Sequence, residues 1–443
     1  MITHILKRDG RVVPFDPQKI TFAVLRAAVA VGGRDRATAE EITKEVVDRL
    51  AAFHPSGDQH PTVEEVQDAV EKVLIERGHA RTAKAYIVYR YEHALKRAGR
   101  ESLTYSSDNI PYRKLWETLS WAVDHECHTL AGIRDYVEAG RFADLVDLSE
   151  AFYREEIEAA RATLAERIED VRVIIIAGPS SSGKTTTTLK IAESMPDRRL
   201  VPLNVDNYFF DLDSHPVDTR GDYDFETPQA LDIELLNEHL RRLLAGDAVD
   251  VPSYNFRTGN REGVSATIQL GTNDVILIDS LHGFYGPMTE SVPDERKFRL
   301  YIETLAQVKD EAGRFIRWTD VRMLRRMVRD MQFRNYNPEQ TLRHWYLVRR
   351  AELRYIVSRL KNAEVIVNSF MPSELPLMKA RLQRSFPQFV EHLVGDEEKR
   401  DALERARRIM ELFAQVPAVG SEDAIPGDSL LREFIGGSVY DYH

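Results

Sequence analysis

The residues of this chain with the clearest capacity for chemistry lie between positions 173 and 193. Gly178, Gly183, Lys184 and Thr185 keep the spacing G-x-x-x-x-G-K-[ST], with Ser180, Ser181 and Ser182 inside the loop and Thr186 just after it. Two glycines permit a tight turn whose N–H groups converge into an anion-binding nest. A helix opening at the end of the loop adds its positive terminus. In that setting Lys184 bridges the β- and γ-phosphates, and the Thr185 hydroxyl ligates Mg²⁺. The β-branched run at 173–176 and the apolar spacing after the loop predict strand, loop and helix in that order, which is the context the motif needs. The expectation is a site for ATP and Mg²⁺ built from Gly178, Ser180, Ser181, Ser182, Gly183, Lys184, Thr185 and Thr186.

Two further apolar runs end in acids, one reaching Asp206 and Tyr208, the other reaching Asp279 through Val275, Ile276, Leu277 and Ile278. In an open α/β sheet the ligand lies beyond the carboxyl ends of the strands, so both acids are expected to face the phosphate loop. A carboxylate at Asp206 is placed to accept the proton of an attacking hydroxyl. Asp279 reads as the carboxylate that, with Thr185, holds Mg²⁺ directly or through water. Polar and aromatic residues crowd 221–232 and 251–261 densely enough to line a pocket for a hydroxylated substrate. Downstream, Arg314, Arg317, Arg322, Arg325, Arg326, Arg329 and Arg334 fall largely at helical spacing. They are expected to form a lid, because arginines closing over phosphates stabilise the charge of phosphoryl transfer.

These groups need elements to position them. The patterning predicts an α/β protein whose phosphate-loop region is preceded by a small, mostly helical domain and a helical connector. Residues 1–97 open with a hairpin turning at 8–11, then a helix to about 31 and amphipathic helices at 37–53, 62–77 and 80–97. A capping box from Thr62 to Glu65 starts the third of these four helices. Residues 98–170 are the connector, with Trp116, Leu119, Trp121 and Ala122 as core. Residues 171–391 carry the loop and its acids. Residues 392–443 are a charged helix and a tail apolar enough to pack on the body or on a neighbour.

Composition narrows the classes. With 443 residues, 43% hydrophobic and 30% charged, the chain buries a sizeable core and is not broadly disordered. A formal net charge of -11 argues against a nucleic-acid-binding surface spread over the whole chain. The single cysteine, Cys127, forms no internal disulfide and fits a reducing cytoplasm. His125 and His128 flank it, but no second ligand cluster accompanies them, so 124–128 reads as a polar helix face rather than a metal site. No apolar run approaches a membrane span and the N-terminus lacks a signal-peptide core, so neither membrane nor nucleic acid is expected as a partner.

Two resemblances follow from these residues. Lys7 to Gly10, then Phe15 to Ile20, with Ala80 to Tyr86 later, resemble the ATP-cone, the allosteric nucleotide-binding domain of ribonucleotide reductases and their repressor. That resemblance implies a nucleotide effector, with Lys7 and Lys19 meeting its phosphates and Ile5 and Arg8 nearby, and makes effector-dependent association into a homo-oligomer an expectation. The phosphate loop, Asp206 to Phe209, Tyr223 to Pro228, Val251 to Phe256 and the arginine run resemble the uridine kinase/phosphoribulokinase family, across about 171–369. This implies a P-loop NTPase-type parallel sheet flanked by helices and transfer of the γ-phosphate of ATP to a hydroxyl, with Asp206 as general base and Lys184 on the phosphates. It also implies Tyr208, Tyr254 and Arg261 at the acceptor, and Arg325, Arg326 and Arg329 on the lid, with Arg325 on the substrate side. The chain departs from that family where uridine kinases carry a histidine that reads the pyrimidine. Gly259 stands there, Asn255 replaces an acid, and Asp279 replaces the usual glutamate. The acceptor is therefore open among nucleosides, sugars and polyols. A nucleotide-sensing regulator without kinase activity is the alternative reading.

Overall fold

The structure, a computed structural model, describes residues 2–6, 12–31, 33, 35–54, 60–87, 109–216, 223–334, 336–395 and 399–440. The chain divides into two compact units, Met1–Asn109 and Ile110–His443. In the first, β1 (His4–Leu6) and β2 (Val12–Pro14) pair antiparallel with Ile5 opposite Val13. Three helices follow, α1 (Gln18–Ala30), α2 (Arg36–Phe53) and α3 (Val63–Glu76). Asp35 caps α2 by accepting from the N–H groups of Ala37 and Thr38. The capping box forms at α3: Thr62 Oγ1 accepts from the Glu65 N–H at 3.1 Å, and Glu65 accepts from the Thr62 N–H at 2.7 Å. Ile42, Val46 and Leu50 on α2 and Val66, Val70 and Val73 on α3 recur every three or four residues, so one face of each helix buries against Ile20 and Val24.

The second unit begins with α4 (Tyr112–Asp124), α5 (Leu130–Glu138) and α6 (Phe142–Ala165). Then come β3 (Val173–Ala177), α7 (Lys184–Glu193), β4 (Leu200–Pro202), α8 (Ile233–Leu244), the antiparallel pair β5 (Val249–Asn255) and β6 (Asn260–Ile268), β7 (Val275–Ser280) and β8 (Lys297–Glu303). It closes with α9 (Trp318–Phe333), α10 (Pro338–Ala351), β9 (Val365–Asn368), α11 (Glu374–Leu382), α12 (Phe386–Leu393), α13 (Arg400–Ala414) and α14 (Arg432–Ile435). Five strands form one wholly parallel sheet in the order β4-β7-β3-β8-β9. After β3 the chain fills one side of the sheet and then crosses to the other, so the strand order reverses at the carboxyl end of β3, where the phosphate loop departs.

Period two decides which residues face which layer. Ile174 and Ile176 join one core with Leu277, Leu300 and Ile302, while Val173, Ile175 and Ala177 join the other with Ile276 and Ile278. Because β3 is buried on both faces, its sequence is a continuous apolar run rather than an alternation. Residues 112–165, assigned above to a connector, supply the layer on the first face: Leu130, Ile133, Tyr153, Ile157 and Leu164 share the core of Ile174 and Ile176. Trp116 is not part of that core and is 70% exposed. The buried stripe of α4 runs through Thr118 and Ala122, and a residue two positions from Thr118 projects to the far side of the helix. The tail packs on the same core through Leu430, Leu431, Phe434 and Ile435. No helix among the described residues is long and apolar enough to cross a membrane.

Candidate active site

Backbone geometry shapes the phosphate loop. Gly183 takes φ +88° and Ser181 φ 59°, left-handed values that turn the chain back on itself ahead of α7. Gly178 lies so close to β8 that a Cβ there would stand 2.3 Å from the Ile302 carbonyl oxygen. The hydroxyls of Ser181 and Ser182 are buried and make no hydrogen bond among the described residues. Lys184 Nζ donates to the Pro179 carbonyl at 3.3 Å, folding its ammonium over the loop. Buried, unspent donors around a turn at a helix N-terminus are what a polyphosphate requires.

The acids converge here. Thr185 Oγ1 and Asp279 Oδ2 are 3.5 Å apart, which sets a hydroxyl and a carboxylate on one side of the loop, a hard oxygen pair suited to Mg²⁺. Burial pushes the Asp279 carboxyl up to about 6, with Glu433 and Asp206 adding to the rise and Lys184 and Thr185 opposing it. Asp206 follows β4 in a short helical turn that begins when Asn204 accepts from its N–H at 2.9 Å. Its side chain opens to the crevice, yet the protein packed around it raises its carboxyl above the ordinary range, against the pull of Lys184 and Arg334. His282, two residues beyond β7, is buried beside Lys184, and burial first, then Lys184 and Arg359, push its imidazole down to about 3.

The arginine helix α9 differs from a lid. Arg322 and Arg325 are wholly buried. Arg322 pairs with Glu303 at 2.7 Å and with Glu352, and donates to the Ser180 carbonyl at 3.1 Å. Arg325, expected on the substrate side, is held in a fork by Glu374 at 2.6 and 2.8 Å and donates to the Ser369 carbonyl at 2.6 Å. Charges removed from water must be paired, so these two arginines brace the loop and are not free for an acceptor. Arg326 and Arg329 are partly exposed. Arg326 donates to Ser180 Oγ at 3.2 Å and to Glu226 at 3.2 Å, and Arg329 to Asp330 at 3.0 Å. Patterning did not single out Glu226, His282 or Glu433 as site residues; the first lies in the Tyr223–Pro228 motif and was legible there, while Arg334, whose charge reaches Asp206, belongs to the arginine run expected as a lid.

The segments expected to line the acceptor pocket pack around an aromatic cluster. Phe209 lies 5.5 Å from both His215 and Tyr254, 5.7 Å from Phe225 and 5.9 Å from Phe256, centroid to centroid. Among the described residues the Tyr254 hydroxyl and both His215 ring nitrogens are buried without a well-formed hydrogen bond, and burial lowers the His215 imidazole below its ordinary range. Two expected acceptor residues are spent elsewhere. Tyr208 is fully buried with its hydroxyl 2.9 Å from His239 Nδ1. Arg261 donates to the Phe209 and Tyr208 carbonyls, each at 2.8 Å, and pairs with Asp232 at 3.0 Å, fixing the loop that carries Asp206. Leu212 fills the space beside Gly259, 2.1 Å from where a Cβ would stand, so no histidine fits there. A separate cleft of about 590 Å³, lined by Tyr285, Asp294, Lys297, Arg299 and Asn362 among others, contains none of the phosphate-loop residues.

In the first unit, Ile5 is half-buried against the helical core and Lys19 is exposed at the start of α1. Lys7 and Arg8 lie outside the described residues. Cys127 is fully buried, its thiol pushed up to about 12 by burial, and His125 Nδ1 meets the Trp121 carbonyl at 2.8 Å. Among the described residues no group of three or more His, Cys, Asp or Glu side chains is placed to hold a metal.

The ATP cone domain matches residues 3–95, and the phosphoribulokinase/uridine kinase family matches residues 173–375. The uridine kinase of Deinococcus deserti is 30% identical over 214 residues, 48% of this chain and 95% of that protein. The uridine kinase of Chloroflexus aurantiacus is 30% identical over 195 residues, 44% of this chain and 85% of its own length. Uridine-cytidine kinase B of Dictyostelium discoideum is 28% identical over 196 residues, 44% of this chain and 73% of that protein.

Proposed function

The chain belongs to the phosphoribulokinase/uridine kinase family, and we propose that it moves the γ-phosphate of ATP to a hydroxyl of a nucleoside or related sugar-like acceptor. The observation that carries this reading is Asp206, a carboxylate open to the crevice beside Lys184, with its proton affinity raised by the protein around it. A site that only sensed ATP has no use for a base there. Asp206 accepts the proton of the attacking hydroxyl, and a raised carboxyl holds that proton better than an ordinary one. The loop N–H groups, the Ser181 and Ser182 hydroxyls and Lys184 hold the phosphates. Thr185 and Asp279 fit Mg²⁺, which when bound neutralises charge gathering on the transferring oxygens. Arg326 and Arg329 exchange Glu226 and Asp330 for phosphoryl oxygens as that charge develops.

For the acceptor, the faces of Phe209, Phe225, Tyr254 and Phe256 favour a ring, and the Tyr254 hydroxyl and His215 nitrogens are buried polar atoms that a polar ring would satisfy. A nucleotide bound at the N-terminal ATP cone, near Ile5, Lys7, Arg8 and Lys19, would regulate the transfer.

The test is Mg²⁺-dependent ADP release measured against ribonucleosides, deoxyribonucleosides, sugars and polyols, for the wild type and Asp206→Asn. One acceptor class stimulates turnover in the wild type, and the variant loses about 10²–10⁴-fold in kcat while still binding ATP. If no acceptor stimulates turnover and the variant matches the wild type, the base assignment fails and a nucleotide-sensing role takes its place.

A further inference from the structure

Residues downstream of α13, outside both family matches, lie against the phosphate loop. Leu430 covers Gly183 so closely that a Cβ on that glycine would stand 2.4 Å from Leu430 Cδ1. Glu433, 8% exposed, accepts from the Thr186 N–H at 3.1 Å and from the Thr186 hydroxyl at 2.6 Å. On either side, Asp428 pairs with Lys190 at 2.9 Å, and the Tyr440 hydroxyl donates to Glu193 at 2.8 Å. Phe434 places its ring 5.1 Å from the buried Arg325 guanidinium. The segment is thus fastened along α7 from its first turn to its last.

Thr186 is the third residue of α7, one of the four whose N–H has no partner within a helix. In this loop motif such N–H groups cradle the phosphates nearest the nucleoside. Glu433 offers them what a phosphate offers, an anionic oxygen that accepts charge-assisted hydrogen bonds. One N–H and one hydroxyl cannot serve both anions well, and two anions at that distance repel.

We propose that residues 428–440 form an intrasteric strap in which the Glu433 carboxylate stands in for a nucleotide phosphate at Thr186, so that nucleotide binding requires Glu433 to leave. The inference rests on the reading of the loop as an ATP site. Adenosine, which carries no phosphate, is outside this competition, whereas ADP and ATP are both within it.

The experiment titrates ATP, ADP and adenosine into the full-length wild type and Glu433→Gln by calorimetry, after confirming that both fold. A glutamine keeps the shape and removes the charge, so ADP and ATP are expected to bind about tenfold more tightly, with adenosine unchanged. Equal or weaker ADP affinity in the folded variant overturns the strap while leaving the kinase reading intact. Failure of both the folded wild type and the folded variant to bind ATP overturns the kinase reading first. Hydrogen exchange on the wild type gives a second measurement that needs no variant: amides at 430–436 should lose protection when ATP is added, and unchanged or increased protection rejects the proposal.

Discussion

Gly178→Ala isolates the fit between the phosphate loop and the sheet. The added Cβ would lie 2.3 Å from the Ile302 carbonyl oxygen, and 2.9 Å from both Ile302 Cγ2 and Ser182 Oγ. Ile302 sits inside β8, paired with β9 through Val367, so its carbonyl cannot swing away. An ordinary carbon–oxygen contact is about 3.3 Å, and the loop must therefore retreat by about 1 Å. Displacement of that size is enough to cost about 10²-fold in a reaction that depends on positioning, and overpacking of this kind costs about 1–3 kcal/mol of stability. Gly286→Ala is the control, because nothing lies within 4 Å of its Cβ position and its backbone needs no left-handed conformation. Urea unfolding and ATP titration on both variants decide the matter. Gly178→Ala should lose stability and weaken ATP binding, while Gly286→Ala stays close to the wild type. If the two variants are indistinguishable in both measurements, the loop is not seated on β8 as described, and the account of its rigidity fails.

Arg325→Met should destabilise the protein by about 3–5 kcal/mol, because it strands Glu374 in the core without its partner. A variant that instead unfolds at the wild-type urea concentration and loses only acceptor affinity would return Arg325 to the substrate site. The acid limb of the stability profile should depend on His282. Its folded-state imidazole titrates near 3, whereas the unfolded chain takes up that proton near 6.5, so the stability it contributes is complete above 6.5 and falls as pH drops toward 3. The slope is at most about 1.4 kcal/mol per pH unit. His282→Gln should make the loss of stability between pH 6 and 4.5 shallower by about one proton in urea titrations, and an unchanged slope would mean that His282 is not held neutral.

What could be read from the chain depended on whether a residue's role is set locally. The phosphate loop was legible because its glycines and their spacing prescribe a backbone path, and Gly178 and Gly183 follow it. The Thr62–Glu65 capping box was legible for the same reason, since both partners lie within one turn. The two strand-end acids followed from the apolar runs before them and the rule that ligands sit at the carboxyl edge. Tyr208 and Arg261 were a different case. Their polar groups bond to His239, Asp232 and carbonyls of another segment, and no pattern within their own stretch announces those partners. Glu433 is the extreme, 247 positions from the threonine it contacts.

The arginine helix explains why spacing misleads where charge is concerned. Arg322, Arg325, Arg326 and Arg329 share a helical face, and a face of cations looks like a surface waiting for phosphate. Burial divides them. Glu303, Glu352 and Glu374 arrive from a strand and two helical segments to neutralise Arg322 and Arg325, whose remaining N–H groups reach the Ser180, Ser181 and Ser369 carbonyls. Those two therefore add rigidity to the loop but little net positive charge, because each is matched by at least one buried carboxylate. Attraction for a polyphosphate is left to groups whose partners can be exchanged. Among the described residues Lys184 holds only a carbonyl at 3.3 Å, while Arg326 and Arg329 hold Glu226 and Asp330 in partly exposed pairs. On the proposed reading, an anion arriving at the loop would compete with carboxylates for these cations, as it would compete with Glu433 for Thr186, so phosphate would bind by replacing internal acids rather than by filling an empty positive field.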